Sequence, residues 1–249
     1  MMKQFVVTTA MGKRLIGKAM SVHPEIQATL RQGTLAIIAG TTNGYVAEEI
    51  LAATGQVEGF TRAGFRRGFT VAPGAKPLKA EFPGDVILVD GQWQRGATID
   101  DVAGQMKVGD VILKGANAYD GRGQAAVQIA NPQGGTIFEA LPAVIGRRVR
   151  LIVPVGLEKR ILDDVDVVVR RCNAPGGTGV RMMTLVGAEV FTEIDALRLL
   201  TGVEAHLLAA GGIHGAEGAA WLGVWGSDEQ VEVAAKLVAS VSEEPPCEV

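Results

Sequence analysis

Two glycine-rich stretches carry the side chains best suited to chemistry. The first, GTTNGYVAEEI (40–50), follows the apolar run TLAIIA (34–39). A loop that leaves the carboxyl end of a buried strand and opens a helix presents unpaired N–H groups and the positive end of the helix dipole. The hydroxyls of Thr41 and Thr42 and the amide of Asn43 add donors without a counter-charge, and Gly40 and Gly44 let the backbone approach an anion. A Thr or Asn cap in an ordinary turn uses the same residue types. The second stretch, KGANAYDGRGQAAVQIANPQGG (114–135), sets Lys114, Asn117, Tyr119, Asp120 and Arg122 near one sheet edge. Asp120 suits a general base if partly desolvated. Lys114 or Arg122 suits a developing oxyanion or a carboxylate. DGRG is equally a common turn, with Asp120 and Gly121 where turns prefer them. The first loop lacks the lysine and spacing of a P-loop and no GxGxxG follows, so nucleoside triphosphates and NAD are poor matches.

A third loop, GGIHGAEG (211–218), holds His214 and Glu217, but with three histidines in the chain and no cysteine nearby a metal site lacks ligands. A hairpin turn is the expectation there, and neither a metal nor a cofactor is expected. Cys172 beside Arg171 reads as a strand-end cysteine. Trp221 and Trp225, four apart on an expected strand, share one face and suit core packing or a subunit interface.

These loops need elements to hold them. Between 33 and 156, apolar β-branched runs alternate with helical patterns. TLAIIAG (34–40), DVILVDG (85–91), DVILKGA (110–116) and VRLIVPV (149–155) read as strands. YVAEEILAATG reads as a helix ended by Gly55, and TIDDVAGQM as one capped by Thr98 with Asp101 at its third position. In TIFEALPAVIGRR, Thr136 and Glu139 read as a capping box and Pro142 as a kink or stop. Strands without polar alternation, joined by helices, imply a mostly parallel, Rossmann-like α/β sheet with helices on both faces. MMKQFVVTT reads as a further strand, KRLIGKAM and EIQATLRQG as helices, and GFTRAGFRRGFTV (59–71) as an extended, partly exposed segment spacing Phe60, Phe65 and Phe69. Beyond about residue 162, DVDVVVRRC and VRMMTLV read as strands around NAPGGTG (173–179). TEIDALRLLTG (helix), VEAHLLAAGG and AAWLGVWG (strands) and SDEQVEVAAKLVAS (helix) follow. This order suggests a small C-terminal ferredoxin-like α+β unit. The expected division is a domain over 1–165 and a smaller unit over 166–249.

Composition narrows the classes. The 249 residues are 47% hydrophobic and 20% charged, enough for a substantial core, and the 33 glycines fall in clusters that mark turns. A net charge of −3 with scattered cations gives no nucleic-acid stripe, although Arg62, Arg66 and Arg67 sit together. Two cysteines make no disulfide framework, and no apolar run reaches the ~18–20 residues of a membrane span. A cytoplasmic protein binding neither membrane nor nucleic acid is expected, assembled as a homo-oligomer through apolar surface on the Trp-bearing hairpin and the Phe-spaced segment.

With both motifs in view, GTTNGYVAEEI after a strand and a later strand ending in GANAYDGRG, the region 30–160 resembles a known superfamily. It is that of glucosamine-6-phosphate deaminases, ribose-5-phosphate isomerases and CoA transferases, and it is especially similar to the branch with LUD-type and methylthioribose-phosphate isomerase-like proteins. The resemblance implies that the strand-to-helix loop cradles a phosphate, with Gly40, Thr41, Thr42 and Gly44 at matching positions. It implies that a second loop, matched by Gly115, Ala116 and Asn117, supplies catalytic groups, and that a small ferredoxin-like domain accompanies the main one. Asn117 stands where the isomerases place an aspartate; an amide cannot take a proton from a sugar carbon, so isomerisation would rest on Asp120 or another carboxylate. No glutamate matches the CoA-transferase nucleophile. The expected ligand is a small phosphorylated or carboxylated metabolite. Gly40, Thr41, Thr42, Asn43, Gly44, Gly115, Asn117 and Arg122 would bind it, with Asp120 and Lys114 catalytic in proton transfer beside a carbonyl. A non-catalytic metabolite sensor and an acyl- or CoA-transferring enzyme are the alternatives.

Overall fold

The computed structural model describes residues 1–68, 70, 71, 73, 74 and 80–246. The chain begins β1 (Met2–Val7), α1 (Thr9–Val22), α2 (Pro24–Arg31), β2 (Thr34–Ile37), α3 (Thr41–Ala53). It continues β3 (Val86–Val89), β4 (Gln92–Trp93), α4 (Ile99–Val102), β5 (Val111–Leu113), β6 (Ala118–Tyr119), β7 (Ala125–Ile129), α5 (Thr136–Leu141), β8 (Arg150–Pro154). The last elements are α6 (Val165–Cys172), β9 (Arg181–Thr184), β10 (Ala188–Phe191), α7 (Glu193–Thr201), β11 (Glu204–Ala210), β12 (Ala220–Trp225) and α8 (Asp228–Ala239). None of the described helices is long and apolar enough to cross a membrane.

The fold is mixed α/β around a six-stranded sheet of order β10-β8-β5-β2-β3-β4. β10, β8, β5 and β2 run parallel, and β3 and β4 complete the sheet antiparallel. Residues 35–37 and 111–113 are buried without alternation. Successive side chains point to opposite faces, so both faces of these strands are covered. α1 packs on α3 and α7, and α7 on α8. One continuous apolar core runs through the chain from Val7 to Val241.

The strand 85–91 is the first departure from the expected pattern, because β3 is antiparallel to β2. No described residue between α3 and β3 is helical or strand. That segment therefore climbs from the end of α3 to the carboxyl end of β2 and enters β3 from above. It is anchored by rings: Phe60 meets Phe65 and Phe82 at 5.3 Å each, and Phe82 stacks on Trp93. Phe65 is buried, so the stretch is less exposed than its glycines and arginines suggest, while Phe69 lies outside the described residues.

DVDVVVRRC is helix α6 rather than a strand, which places Cys172 at a helix end. Its valines admit both periods, but Val165, Val168 and Val169 fall three and four apart and pack on Ala118, Ala126 and Met182, a second small core. Asp166 in its first turn and Arg170 and Arg171 in its last suit the helix dipole. Thr136 is the first residue of α5, not its cap; Gly135 holds the cap position without a side-chain bond, so the Thr136–Glu139 box is absent. Pro142 ends α5 and opens a π-helical turn over Pro142–Gly146. Thr98 and Asp101 do form the expected capping box of α4.

Residues 166–249 give strands to all three sheets. β9 pairs with β7 beside β6, β10 edges the main sheet, and β11 and β12 form a hairpin around 211–218 completed by β1. Among the described residues, the C-terminal part thus closes no sheet of its own.

Asn43 ties the two strands at the centre of the main sheet. Fully buried in the first turn of α3, it donates through Nδ2 to Ile38 O at 2.8 Å and to Leu113 O at 3.0 Å. Replacing Asn43 by Ala removes both bonds inside the core; Leu113 O keeps the Ile38 N–H at 3.0 Å, and the Ile38 carbonyl loses its Asn43 partner at a cost of about 1–3 kcal/mol. Urea unfolding should show a lower midpoint with the slope unchanged.

Candidate functional site

The loop after β2 and the loop after β5 meet on one rim, since their strands are parallel neighbours joined by Asn43. Helix α3 begins at Thr41, earlier than its polar residues suggest, with Gly40 at the cap position and no side-chain cap. Gly44 N–H is the first to bond back, to Gly40 O at 2.8 Å. The N–H groups of Thr41, Thr42 and Asn43 thus have no partner inside the helix and face out of its start. Thr42 is buried, and its hydroxyl has no hydrogen-bond partner among the described residues. Gly40 is open on its side-chain face, where an added methyl group would meet only Ile38 O at 4.0 Å.

Two residues of the expected cradle do other work. Asn43 commits its amide nitrogen to strand carbonyls. Gly44 has its N–H inside the helix, and its side-chain face lies 3.4 Å from Arg62 Cγ and 3.7 Å from Phe65. It makes room for the climbing segment rather than for a ligand.

Lys114 follows β5 directly and is 9% exposed. Its ammonium makes one long contact, to Gly115 O at 3.5 Å, and no carboxylate among the described residues forms an ion pair with it. Burial pushes the amine down to about 8, opposed by Asp85 and assisted by the positive charges of Lys159 and Arg67. Asp85 is itself occupied: Oδ1 accepts Ala39 N–H at 2.9 Å and Arg67 Nη2 at 2.8 Å, and Oδ2 accepts Ile99 N–H at 3.0 Å. Lys159 Nζ donates to Ala116 O at 2.9 Å. A methyl group on Gly115 would meet nothing within 4 Å outside its two neighbours in the chain. The rim therefore gathers three cations, one committed carboxylate and a helix start.

Asp120 is not part of this group and is not placed to act as a base. Its Oδ1 accepts the N–H groups of Arg122 at 2.9 Å and Gln124 at 3.1 Å, and its Oδ2 accepts Val165 N–H at 3.0 Å. It closes the DGRG turn and caps α6 from another loop. Burial works against the charge, but these backbone donors and Arg122 hold the carboxyl below its ordinary range. Arg122 pairs with Asp164 at 3.2 Å, next to that cap, and Asn117 is exposed with its Oδ1 on Gln128 N–H at 2.9 Å. Of the second stretch, Lys114 and Gly115 remain at the rim, while Asp120 lines a separate cavity of about 370 Å³ with Tyr119, Arg160 and Thr192.

A further buried acid gave no signal in the sequence. Glu193, at the carboxyl end of β10, is 3% exposed and accepts Leu157 N–H at 3.0 Å. Gly12 lets it in: a methyl group there would stand 2.3 Å from Oε1. Nearby, buried Lys13 pairs with Glu158 at 2.9 Å. Burial, with Glu158 adding to it, pushes the Glu193 carboxyl up to about 8, against Leu157 N–H and Lys13. Tyr119 is also raised, by burial first and then by Glu193, and its hydroxyl is buried without a hydrogen-bond partner among the described residues. Along the chain, Glu193 sits in TEIDAL and looks like an ordinary acidic residue of a helix start.

Comparison with protein-family profiles, curated proteins and solved structures yields no match.

Glu193 supplies a pH signature. Its folded value near 8 lies above the ordinary 4.5, so the folded chain holds a proton that the unfolded chain releases. Its contribution to stability is full below about 4.5 and is lost as pH rises through about 8. Glu193→Gln should flatten that part of the wild-type urea-midpoint profile; identical profiles would mean Glu193 is already ionised.

Proposed function

We propose that the chain binds a small phosphorylated or carboxylated metabolite at the rim where β2 hands over to α3, with Lys114 as its counter-charge. The observation that carries this reading is Lys114 itself: nine-tenths buried, without a carboxylate partner among the described residues, one residue beyond the carbonyl that Asn43 grips. A buried ammonium left without an opposite charge is costly, and an anion seated at the helix start would relieve it. The order β4-β3-β2-β5-β8-β10 supports a Rossmann-like reading, in which the chain moves to opposite sides of β2 and ligands settle in the crevice at that switch.

Isomerisation of a sugar phosphate needs a carboxylate free to move a proton, and the engagement of Asp120 by three backbone donors speaks against it in that role. Binding without turnover, as in a metabolite sensor, is the second reading, favoured by the neutral donors around Thr41 and Thr42. Acyl transfer through a glutamate has little support, since Glu48 and Glu49 are ion-paired to Arg14 at 2.6 and 2.8 Å.

Calorimetric titration with inorganic phosphate and with sugar phosphates tests the seat. Lys114→Met should weaken binding at least tenfold, about 1.4 kcal/mol, and Thr42→Val should weaken it less. Unchanged affinity in both variants would place the anion elsewhere. Above about pH 8, wild-type affinity for phosphate should fall by up to tenfold per unit as Lys114 loses its proton.

A further inference from the structure

Lys114 is set up to react as well as to attract. We propose that its amine forms an imine with the carbonyl carbon of a small anionic aldehyde or ketone held at the start of α3, an inference that rests on the anion seat described above. A lysine kept for charge alone reaches solvent or a carboxylate, and Lys114 does neither. Among the described residues, the charged groups that act on it are engaged: Asp85 with Ala39, Ile99 and Arg67, Arg67 with Asp85 and the Gly84 carbonyl, and Lys159 with the Ala116 carbonyl. Asp85 acts on the ammonium only through its charge and makes no ion pair with it, while burial and two adjacent cations favour the neutral amine, the nucleophilic form. Gly115, the next residue, and Gly40 are open on their side-chain faces. The outward N–H groups of α3 would hold the anionic end and so orient the carbonyl towards Nζ.

The step balances without a redox partner. The Nζ lone pair attacks the carbonyl carbon, the C=O pair moves to oxygen, and oxygen leaves as water after taking two protons. The product is a protonated imine, formed from amine, carbonyl compound and one proton. Its positive charge replaces that of the ammonium, so the rim keeps its balance with the bound anion.

Reductive trapping of the full chain tests the inference. Cyanoborohydride is added at about pH 7.5 with pyruvate in one arm and glyceraldehyde 3-phosphate in the other, and the adduct is located by peptide mass mapping. One adduct is expected, on the peptide containing Lys114, ahead of the exposed Lys3 and the half-buried Lys18. It should be absent from Lys114→Arg and suppressed by excess inorganic phosphate. The arm that labels faster tells a carboxylate anchor from a phosphate anchor. Labelling confined to exposed lysines overturns the imine, and mapping of the wild-type chain is decisive on this point even if the arginine variant misfolds. Phosphate binding without an adduct at Lys114 also overturns the imine but leaves the seat standing. An adduct at Lys114 that phosphate does not suppress keeps the imine and overturns the seat.

Discussion

The side-chain amide of Asn43 sets the positions of the groups around it. By holding Ile38 O and Leu113 O together it locks the start of α3 onto the ends of β2 and β5. Thr41 and Thr42 precede it by two residues and one, and Lys114 follows the carbonyl it grips. A fully buried amide bonded to two strands tolerates little displacement, because each bond would have to be replaced where no water reaches. The helix start and the buried lysine are thereby held at a common rim by a group that touches no ligand itself.

Buried acids are used mainly to satisfy backbone, at the rim and away from it. Asp85 takes Ala39 and Ile99, Asp120 takes Arg122, Gln124 and Val165, and Glu193 takes Leu157. A buried N–H needs an acceptor, and a carboxylate in that role is no longer available to a neighbouring ammonium. Lys114 is left unpaired among the described residues largely because the nearest acid is already committed. The same distribution of partners leaves Glu193 raised towards the neutral acid: only its own N–H and that of Leu157 bond to it, and Lys13 goes to Glu158 instead.

The antiparallel course of β3 shapes the chemistry. Had residues 54–85 formed a crossover into a parallel strand, Asp85 would lie at the opposite end of the sheet. The Phe60–Phe65–Phe82–Trp93 cluster secures the climbing segment instead, and Arg67 within it arrives beside Asp85. The local pair of positive and negative charge near Lys114 is thus a product of topology.

Much of the scaffold is legible from local pattern. The runs at 34–37, 111–113 and 150–154 are strands because β-branched residues repeat without polar interruption, and the capping box at Thr98 follows from four residues in sequence. The glycine-threonine helix start and the lysine after β5 are legible too, since parallel neighbours must end on the same rim. Local pattern fails at DVDVVVRRC, where alternation and helical spacing coexist and packing on Ala118, Ala126 and Met182 decides for the helix. It fails more fully for Asp120, whose turn-forming spacing is plain but whose third bond comes from Val165, 45 residues away. Apart from α6, the sequence determined which segments are strands and helices, because that depends mostly on neighbours along the chain. Which acids are occupied, which lysine is unpaired and which carboxyl keeps its proton were decided by the tertiary structure alone, because a charge's state depends on whatever folds against it.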